Sequence, residues 1–317
     1  MTRRRLGVVM DPLESIKPWK DSSFAMMLEA QKRGWQIDYL RINDLYMDDG
    51  VSHAHYQTVE LMDDNRKWHR VIHAGNCRLD ALDVILMRKD PPFDMEYIYC
   101  TYLLEQAEEA GVLVVNKAAS LRDCNEKLFT RYFPQCCVET RVSRDIRLLL
   151  EFIAQYQDCI VKPLDGMGGQ SIFRVKSGDS NTNVILETVT RAGTSQTMIQ
   201  RYIPEISDGD KRILLIDGEP VTYALARVPA TGENRGNIVV GASTHGQPLS
   251  QRDRWLCQQI GPELRKRGLF FTGIDVIGDY ITEINVTSPT GIRELDREFD
   301  LNISADLFDC LEHHLTT

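Results

Sequence analysis

Three oxygen-bearing side chains near the carboxyl end of the chain have the types and spacing of a site for a hard cation. Asp275 lies in an extended segment, Phe270 to Ile277, that is rich in β-branched and aromatic residues, and Glu283 and Asn285 lie in the next such segment. Side chains alternate faces along a strand, so Glu283 and Asn285 point the same way. Two carboxylates and an amide suit Mg²⁺, which Mn²⁺ can replace, holding nucleotide phosphates.

The loop between these two segments decides whether Asp275 can join Glu283. The Gly278-Asp279 pair predicts an antiparallel hairpin. A two-residue loop without a bulge would pair Asp275 with Thr282, and Asp275 would then face away from Glu283. A three-residue loop or a bulge would pair Asp275 with Glu283 directly. The cation hypothesis therefore requires an odd loop or a bulge, and the alternative is a solvated hairpin with ordinary surface acids.

A glycine-rich stretch in the middle of the chain predicts contact with phosphate. Gly166, Gly168 and Gly169 let the backbone approach a ligand and turn its N–H groups towards phosphate oxygens, and Lys162 adds a positive charge. The stretch is neither a Walker A loop nor a Rossmann fingerprint, because both of those motifs open a helix and a strand is predicted to follow here. A plain turn between two strands is the alternative.

The charge balance argues against a nucleic-acid partner, because 37 Lys and Arg residues stand against 46 acids. The apolar run Leu6 to Met10 ends at Asp11, too soon for an export signal or a membrane span, so we expect no membrane partner. Eight cysteines without a C-x-x-C spacing indicate reduced thiols in a cytoplasmic protein. The histidine pairs, including His313-His314, are expected to have surface or core roles rather than metal-binding ones.

The order of predicted elements indicates an α/β amino-terminal third followed by an α+β remainder. In the first third we expect strands at Leu6 to Met10, Gln36 to Leu40, Val84 to Met87 and Leu113 to Val115, a helix capped by Asp21 that ends at Gly34, and a helix from Met95 to Ala110. Later we expect a helix containing Asn125 to Phe129, a helix near Val184 to Arg191, a strand at Thr197 to Gln200, and a hairpin of Arg212 to Ile216 with Val221 to Arg227. Val228 to Gly246 is expected to be a long mobile loop.

Taken together, these motifs resemble the bacterial glutathione synthetases of the ATP-grasp superfamily, almost from end to end. The matching segments are Met10-Asp11-Pro12, 20–26 (KDSSFAM), 83–94 (DVILMRKDPPFD), Asn116-Lys117, 121–129 (LRDCNEKLF), 162–169 (KPLDGMGG), 208–212 (DGDKR) and 282–290 (TEINVTSPT). The resemblance implies an ATP-grasp fold preceded by an open α/β domain. It also implies a ligase that joins γ-glutamylcysteine to glycine through an acyl-phosphate, releasing ADP and phosphate, and a homo-oligomer, a tetramer.

The resemblance further implies three segments and a role for each matching residue. The segments are an amino-terminal substrate domain (1–121), a lid subdomain with the glycine-rich loop (122–203) and a catalytic subdomain (204–317). The implied roles are catalysis for Arg212 and Arg235, nucleotide binding for Lys127, Lys162, Gly166, Gly168, Gly169, Gln200, Arg201, Tyr202, Ile203 and Asp210, substrate binding for Arg88, Ser288 and Arg293, and Mg²⁺ binding for Asp275, Glu283 and Asn285.

Three positions depart from the family's pattern. Thr231 stands where a glycine is expected before Gly232 in the mobile loop, Gly291 stands where relatives can carry cysteine, and Arg201 is a bulky charge in the hinge strand that reads adenine. Two alternative functions stay open at this point. One is an ATP-regulated binding module on the same fold, as in synapsin-like proteins, and the other is a related ligase with a different amine acceptor.

Overall fold

Three β-sheets organise the chain. The computed structural model describes residues 3–166, 171–228 and 243–316. The sheets contain residues 5–115, 140–201 and 210–285 respectively, and each falls within one of the three segments expected from the sequence. The exact boundaries of the segments stay predictions. None of the helices in these ranges is long and apolar enough to cross a membrane.

The first sheet is a parallel layer extended by an antiparallel hairpin, in the order β3-β4-β2-β1-β6-β7, with β5 on the other edge of β4. Its strands are β1 (Arg5–Val9), β2 (Gln36–Leu40), β3 (Leu45–Asp48), β4 (Val51–Leu61), β5 (His69–Arg78), β6 (Val84–Met87) and β7 (Leu113–Val115). The accompanying helices are α1 (Ser22–Lys32), α2 (Met95–Glu109) and α3 (Ala118–Asp123). Asp21 caps α1 as expected, since its carboxylate accepts a 2.7 Å hydrogen bond from the Phe24 N–H.

The second sheet is antiparallel, in the order β10-β9-β11-β8, and two helices cover one face. Its elements are β8 (Thr140–Ser143), α4 (Ile146–Tyr156), β9 (Asp158–Pro163), β10 (Phe173–Lys176), α5 (Thr182–Val189) and β11 (Thr197–Arg201). The predicted hairpin around the glycine-rich stretch is therefore confirmed, because β9 and β10 pair directly. This sheet has an apolar core of its own, which includes Leu149, Val161 and Leu186.

The helix predicted around Asn125 to Phe129 was wrong. The chain instead forms a short 3-10 turn at Leu128–Tyr132. The physical reason is the Asn125 side chain, whose Oδ1 accepts hydrogen bonds from the backbone N–H groups of Lys127 (3.1 Å) and Leu128 (3.0 Å). Such local side-chain bonds compete with helical ones.

The third sheet is antiparallel, in the order β14-β13-β12-β15-β16. Its elements are β12 (Asp210–Ile216), β13 (Glu219–Val228), β14 (Ser243–Pro248), α6 (Gln251–Lys266), β15 (Phe271–Ile277), β16 (Tyr280–Asn285), α7 (Ile292–Phe299) and α8 (Ile303–Thr316). The expectation of one long loop from Val228 to Gly246 was wrong at its carboxyl end, because residues 243–246 belong to β14 and pair with β13. Residues 229–242 of that segment lie outside the described ranges.

The apolar cores of the first and third sheets are continuous. One cluster joins Val9 and Leu104 to Ile213 and Ile274, and a second joins residues of β1 and α1 to residues of α7 and α8. The first and third sheets, which carry the two ends of the chain, thus pack as one body. The second sheet has a separate apolar core.

Candidate active site

A β-bulge places Asp275 and Glu283 opposite each other. The turn has two residues, since Ile277 pairs with Tyr280, and the register then shifts so that Asp275 pairs with Glu283. Thr282 is the extra residue, and its hydroxyl donates a 3.2 Å hydrogen bond to the Asp275 carbonyl. The sequence required either an odd loop or a bulge for Asp275 to pair with Glu283, and the structure has a bulge and not a longer loop.

Asp275 is the centre of a buried ion-pair network. Arg212 donates from Nη2 to Asp275 Oδ2 (2.9 Å) and from Nε to Oδ1 (2.5 Å), and Arg227 lies 3.0 Å from the same Oδ2. Burial alone would raise the pKa of Asp275, but the two guanidinium groups outweigh it and hold that pKa well below its usual range. Asn285 completes the group, with Nδ2 3.4 Å from Asp275 Oδ2.

Arg227 and Asp210 form a second buried pair in this network, at 2.5 Å. Burial raises the pKa of Asp210 to about 7 against the attraction of Arg227, and the neighbouring Asp275 charge adds to the rise. Asp210 Oδ1 and Arg227 Nε are buried without a hydrogen-bond partner among the described residues. Buried polar atoms of this kind normally have partners, so these two atoms are candidates for contact with a polar ligand.

Arg227 had no role in the sequence prediction. The signal that could have identified it is its position at the end of β13, directly opposite Asp210 in the β12–β13 hairpin.

Two buried lysines approach Glu283. Lys162 lies on β9 of the second sheet, and Lys127 lies in the turn that precedes this sheet in the chain. The Nζ atoms of Lys127 and Lys162 each lie 3.7 Å from Glu283 Oε1. Burial lowers the pKa of Lys162. For Lys127 the burial effect is outweighed by Glu283 and Glu126, and its pKa is raised. The site therefore holds two cations beside a carboxylate at a separation slightly too long for a direct hydrogen bond.

Lys127 is held in place by the predicted residue Gly166 and by Glu126, to which the sequence prediction gave no role. Its ammonium group donates to the carboxylate of Glu126 and to the Gly166 carbonyl, the latter at 2.6 Å. The Glu126 carbonyl accepts a 2.8 Å hydrogen bond from the Ile284 N–H on β16, and Asn125 Nδ2 donates to the Leu164 carbonyl at 3.1 Å. This turn thus connects the glycine-rich loop to the β15–β16 hairpin. Burial, and then the Glu283 charge, raise the pKa of Glu126.

Two cavities meet at the carboxylates. The larger, of about 580 Å³, is polar and opens towards the first sheet, and the smaller, of about 90 Å³, lies between the second and third sheets. Asp275, Glu283 and Ile172 line both cavities. Isoleucines at 160, 172, 206 and 277 form the apolar walls of the smaller one. A small, largely apolar cavity beside a larger one lined by many charged residues, with cations and carboxylates between them, has the form of a nucleotide site next to a substrate site.

The predicted hinge strand lines the smaller cavity. Gln200, Arg201, Tyr202 and Ile203 all contribute to its wall. The side chains of Gln200 and Arg201 are held elsewhere, by Thr140 Oγ1 at 2.9 Å and by Glu139 at 2.7 Å. The bulky Arg201 side chain is therefore held in an ion pair with Glu139.

Of the three predicted substrate-binding residues, two line the larger cavity. Arg88 is buried there, donating to Ser23 Oγ (3.0 Å) and to the Pro289 carbonyl (2.8 Å), and burial lowers its pKa. Ser288 lines the same cavity, and its hydroxyl donates to the carboxylate of Asp90. Arg293 lies elsewhere, in a separate surface cavity, where it donates to Asp63 at 2.7 Å. The predicted residues Gly168, Gly169 and Arg235 lie outside the described ranges.

Comparison with known proteins assigns the chain to a family. Residues 126–300 match the family described as prokaryotic glutathione synthetase, ATP-grasp domain, and residues 5–122 match the corresponding amino-terminal domain. The chain belongs to the prokaryotic glutathione synthetase family. Relatives named glutathione synthetase from Pseudomonas syringae pv. tomato, Vibrio cholerae and Escherichia coli O157:H7 are 58%, 54% and 53% identical over 311 residues, which is 98% of this chain and at least 98% of each relative.

Solved structures share the fold at low sequence identity. The D-cycloserine synthetase DcsG superposes with a TM-score of 0.68 at 12% identity, covering 97% of this chain and 99% of that one. The ATP-grasp ligase PsnB superposes with a TM-score of 0.64 at 18% identity, covering 98% and 99%. The expected ATP-grasp fold with an amino-terminal α/β domain is confirmed, and the chain is a ligase of the glutathione synthetase family that uses ATP and a divalent metal.

Proposed function

We propose that the chain joins γ-glutamylcysteine to glycine to form glutathione, and that the phosphates of ATP lie where the two cavities meet. The observation that carries this proposal is the convergence of Asp275, Glu283 and Asn285 with Lys127 and Lys162 at that junction. Such a group can hold a phosphate chain, which brings the transferable phosphoryl group to the edge of the larger cavity. A substrate carboxylate bound in that cavity would lie next to it.

The donor set fits a hard divalent cation. Asp275 and Glu283 offer carboxylate oxygens on one face of the hairpin, and Asn285 adds an amide oxygen, because among the described residues only its Nδ2 is used in hydrogen bonds. We propose Mg²⁺ as the ion, since it takes one or two carboxylates and fills its remaining positions with water and phosphate oxygens, and Mn²⁺ as a substitute. When bound, the ion neutralises charge that develops on the phosphate oxygens.

The nucleotide is placed by the smaller cavity and the buried cations. We propose that adenine enters the smaller cavity and meets the backbone of residues 200–203, where the Ile203 N–H has no partner among the described residues. Lys127, Lys162 and the glycine-rich loop, with Gly166, Gly168 and Gly169, then face the phosphates. The unpartnered Asp210 Oδ1 and Arg227 Nε are available to the same ligand.

We propose that the larger cavity holds the cysteinyl carboxylate of γ-glutamylcysteine, which receives the phosphoryl group, and the amine of glycine. The cysteinyl carboxylate attacks the γ-phosphorus, ADP leaves, and the glycine amine then attacks the acyl carbon and expels phosphate. Arg212 borders this cavity beside the phosphate site and can stabilise the transferring group, and Arg88 and Ser288 offer contacts for carboxylates. Arg235 is proposed from the family resemblance to help shield the intermediate from water, and a substrate contact for Arg293 stays a prediction.

A coupled assay tests the function. With γ-glutamylcysteine, glycine, ATP and Mg²⁺ we expect stoichiometric release of ADP, phosphate and glutathione. If ADP release stayed at the background measured without γ-glutamylcysteine, the proposed ligase reaction would be contradicted. The ATP-regulated binding module would then be the remaining function. Replacing glycine with alanine or other amines in the same assay separates a glycine ligase from a relative with another acceptor.

An exposed apolar stripe on α2 supports a homo-oligomer, which we propose to be a tetramer. Met95, Tyr99 and Tyr102 lie at i, i+4 and i+7, so they share one helix face, and each is about half exposed. Tyr99→Lys should dissociate the assembly measured by light scattering. Leu148→Lys, an exposed apolar residue on α4, is the matched control and should leave the mass unchanged. A monomeric protein would contradict the proposal. The cytoplasmic location stays a prediction.

A further inference from the structure

A mixed set of metal-binding side chains stands at the end of the third sheet away from the phosphate site. Asp217 lies in the turn between β12 and β13, and Cys310 and His314 lie one helical turn apart on α8. A carboxylate oxygen, the thiol sulfur and an imidazole nitrogen from these residues all lie within 4.8 Å of one another. Asp210 and Arg212 are at the opposite end of β12, about 20 Å away at the rise of a strand.

Within the described part of the chain, the three donor atoms are not used in hydrogen bonds or ion pairs. In residues 3–166, 171–228 and 243–316, neither the Asp217 carboxylate, the Cys310 sulfur nor the His314 ring nitrogens make a hydrogen bond or an ion pair. All three residues are nonetheless at least partly reachable by solvent. An ion could therefore reach the cluster without first displacing a protein partner.

The backbone and neighbouring rings fix the positions of these side chains. The Asp217 N–H donates to the Phe270 carbonyl at 2.8 Å, and the Asp217 carbonyl accepts from Arg265 at 2.9 Å. The Phe270 ring meets the His314 ring edge to face at 4.8 Å. On α8, Leu307 and Leu311 are fully buried, which fixes the rotation of the helix and hence the direction of Cys310. The turn that carries Asp217 and the helix that carries Cys310 and His314 are thus each fixed in place.

We propose that Asp217, Cys310 and His314 form a second metal site, selective for a borderline divalent cation such as Zn²⁺. Tetrahedral Zn²⁺ ligands are about 3.5 Å apart, given bonds of about 2.0 to 2.3 Å, so small rotamer changes would bring these atoms into position. A sulfur, a nitrogen and one oxygen do not suit Mg²⁺, which distinguishes this site from the hairpin at Asp275. Water takes the fourth position, and the Cys310 proton is released to solvent on binding.

The bound ion would tie the carboxyl-terminal helix to the third sheet. The same helix contacts the segment between α1 and β2 through Phe308, whose ring packs against the Trp35 ring at 5.3 Å between centroids. Metal binding should therefore raise the thermal stability of the whole chain without taking part in the ligase reaction.

Cobalt substitution tests the site on the full-length protein. In the presence of excess Mg²⁺ to occupy the carboxylate hairpin, Co²⁺ is titrated, and we expect one equivalent to give a thiolate-to-cobalt charge-transfer absorption that Zn²⁺ abolishes. Cys310→Ser and His314→Ala should each remove this absorption, and Asp217→Asn, which suits the left-handed backbone at this turn, should weaken Co²⁺ binding about tenfold or more.

Matched controls and a second readout complete the test. Cys77→Ser and His55→Ala replace residues of the same types on the first sheet, away from the cluster, and should leave the absorption intact. Zn²⁺ should raise the melting temperature of the wild type and of both controls but not of Cys310→Ser. Absence of the absorption in the wild type, its persistence in Cys310→Ser or His314→Ala, or unchanged affinity in Asp217→Asn would overturn the three-ligand site.

Discussion

Glu283 and Asp275 differ in how far the protein already balances their charge. Asp275 accepts hydrogen bonds from Arg212 and lies 3.0 Å from Arg227, whereas the nearest cations to Glu283 are two lysines at 3.7 Å. The Glu283 charge is therefore the more available to a bound cation. Removing it should affect the phosphoryl-transfer step more than the fold.

Glu283→Gln is expected to lower kcat by about 10²-fold to 10³-fold, the usual range for deleting one electrostatic contact in an active site. The amide keeps the size of the side chain and removes its charge. Steady-state kinetics at saturating Mg²⁺ measure the effect. Asp279→Asn removes an exposed charge from the turn of the same hairpin and should retain wild-type kinetics. Near-wild-type turnover in Glu283→Gln would remove Glu283 from the metal site.

Lys162→Met is expected to raise the Kd for ATP by about tenfold or more, a loss of about 1.4 kcal/mol or more. Methionine fills the buried space but cannot bind phosphate. Burial lowers the pKa of Lys162, whereas at Lys127 the charges of Glu283 and Glu126 outweigh burial and raise the pKa. ATP affinity should therefore also fall with rising pH earlier than it would with an ordinary lysine at position 162. Calorimetry measures both effects. Lys176→Met, on the exposed edge of the same sheet, is the control, and equal ATP affinity in the two variants would contradict the assignment.

At the scale of elements, close packing on β15 fixes Arg212. A Cβ added at Gly273 would lie 2.9 Å from Arg212 Cδ and 2.9 Å from Pro289 Cβ, so the strand needs glycine here for space. Gly291 is the opposite case. Its nearest neighbour to an added Cβ is 3.6 Å away, but its φ of +124° is one that other residues rarely adopt.

These two glycines give a paired prediction. Gly273→Ala should displace Arg212 from Asp275 and lower kcat about tenfold or more. Gly291→Ala should leave kcat within about twofold but cost roughly 1 to 3 kcal/mol of unfolding free energy from backbone strain. Kinetics and urea denaturation of both variants separate the effects. Wild-type turnover in Gly273→Ala would show that the position of Arg212 does not limit kcat.

The sequence predicted the elements whose patterns are local and failed where distant contacts decide. The β15–β16 hairpin and the need for an odd loop or bulge followed from alternation, but whether Thr282 or the turn would supply the extra residue depends on packing against β12. The hairpin of β4 and β5 carried no prediction, since β5 is exposed along most of its length and lacks a clear alternation. Arg227 was missed although Asp210 lies opposite it in the β12–β13 hairpin, and the helix at Asn125 was wrong because local side-chain bonds replace helical ones there.

For the whole molecule, the first and last segments of the chain are one packed unit. Asn116, just after β7, donates from Nδ2 to the carbonyls of Phe271 (2.7 Å) and Val286 (2.6 Å), and its Oδ1 accepts from the Phe271 N–H at 2.8 Å. These bonds join the first sheet to β15 and to the segment after β16, next to the strands that carry the proposed metal ligands. The larger cavity lies between the same two parts, so its geometry depends on their joint packing.

A substitution in the carboxyl-terminal helix, α8, tests whether the first and last segments unfold as one unit. Phe308 is fully buried, meets the Trp35 ring edge to face, and lies under the Arg33 guanidinium at 5.8 Å. Phe308→Ala should therefore cost about 3 to 5 kcal/mol of unfolding free energy, the usual cost of deleting a buried aromatic ring. Leu150→Ala, at an exposed site on α4, should cost less than about 0.5 kcal/mol.

Urea denaturation, followed by tryptophan fluorescence and by circular dichroism, measures both variants. Because the core is continuous, loss of the Phe308 contact should lower the midpoints of both signals together, although the substitution touches only α8. If the cost matched that of Leu150→Ala, or if only the fluorescence signal shifted, the first sheet and the carboxyl-terminal helix would be separate folding units and the shared core would contribute little to cooperativity.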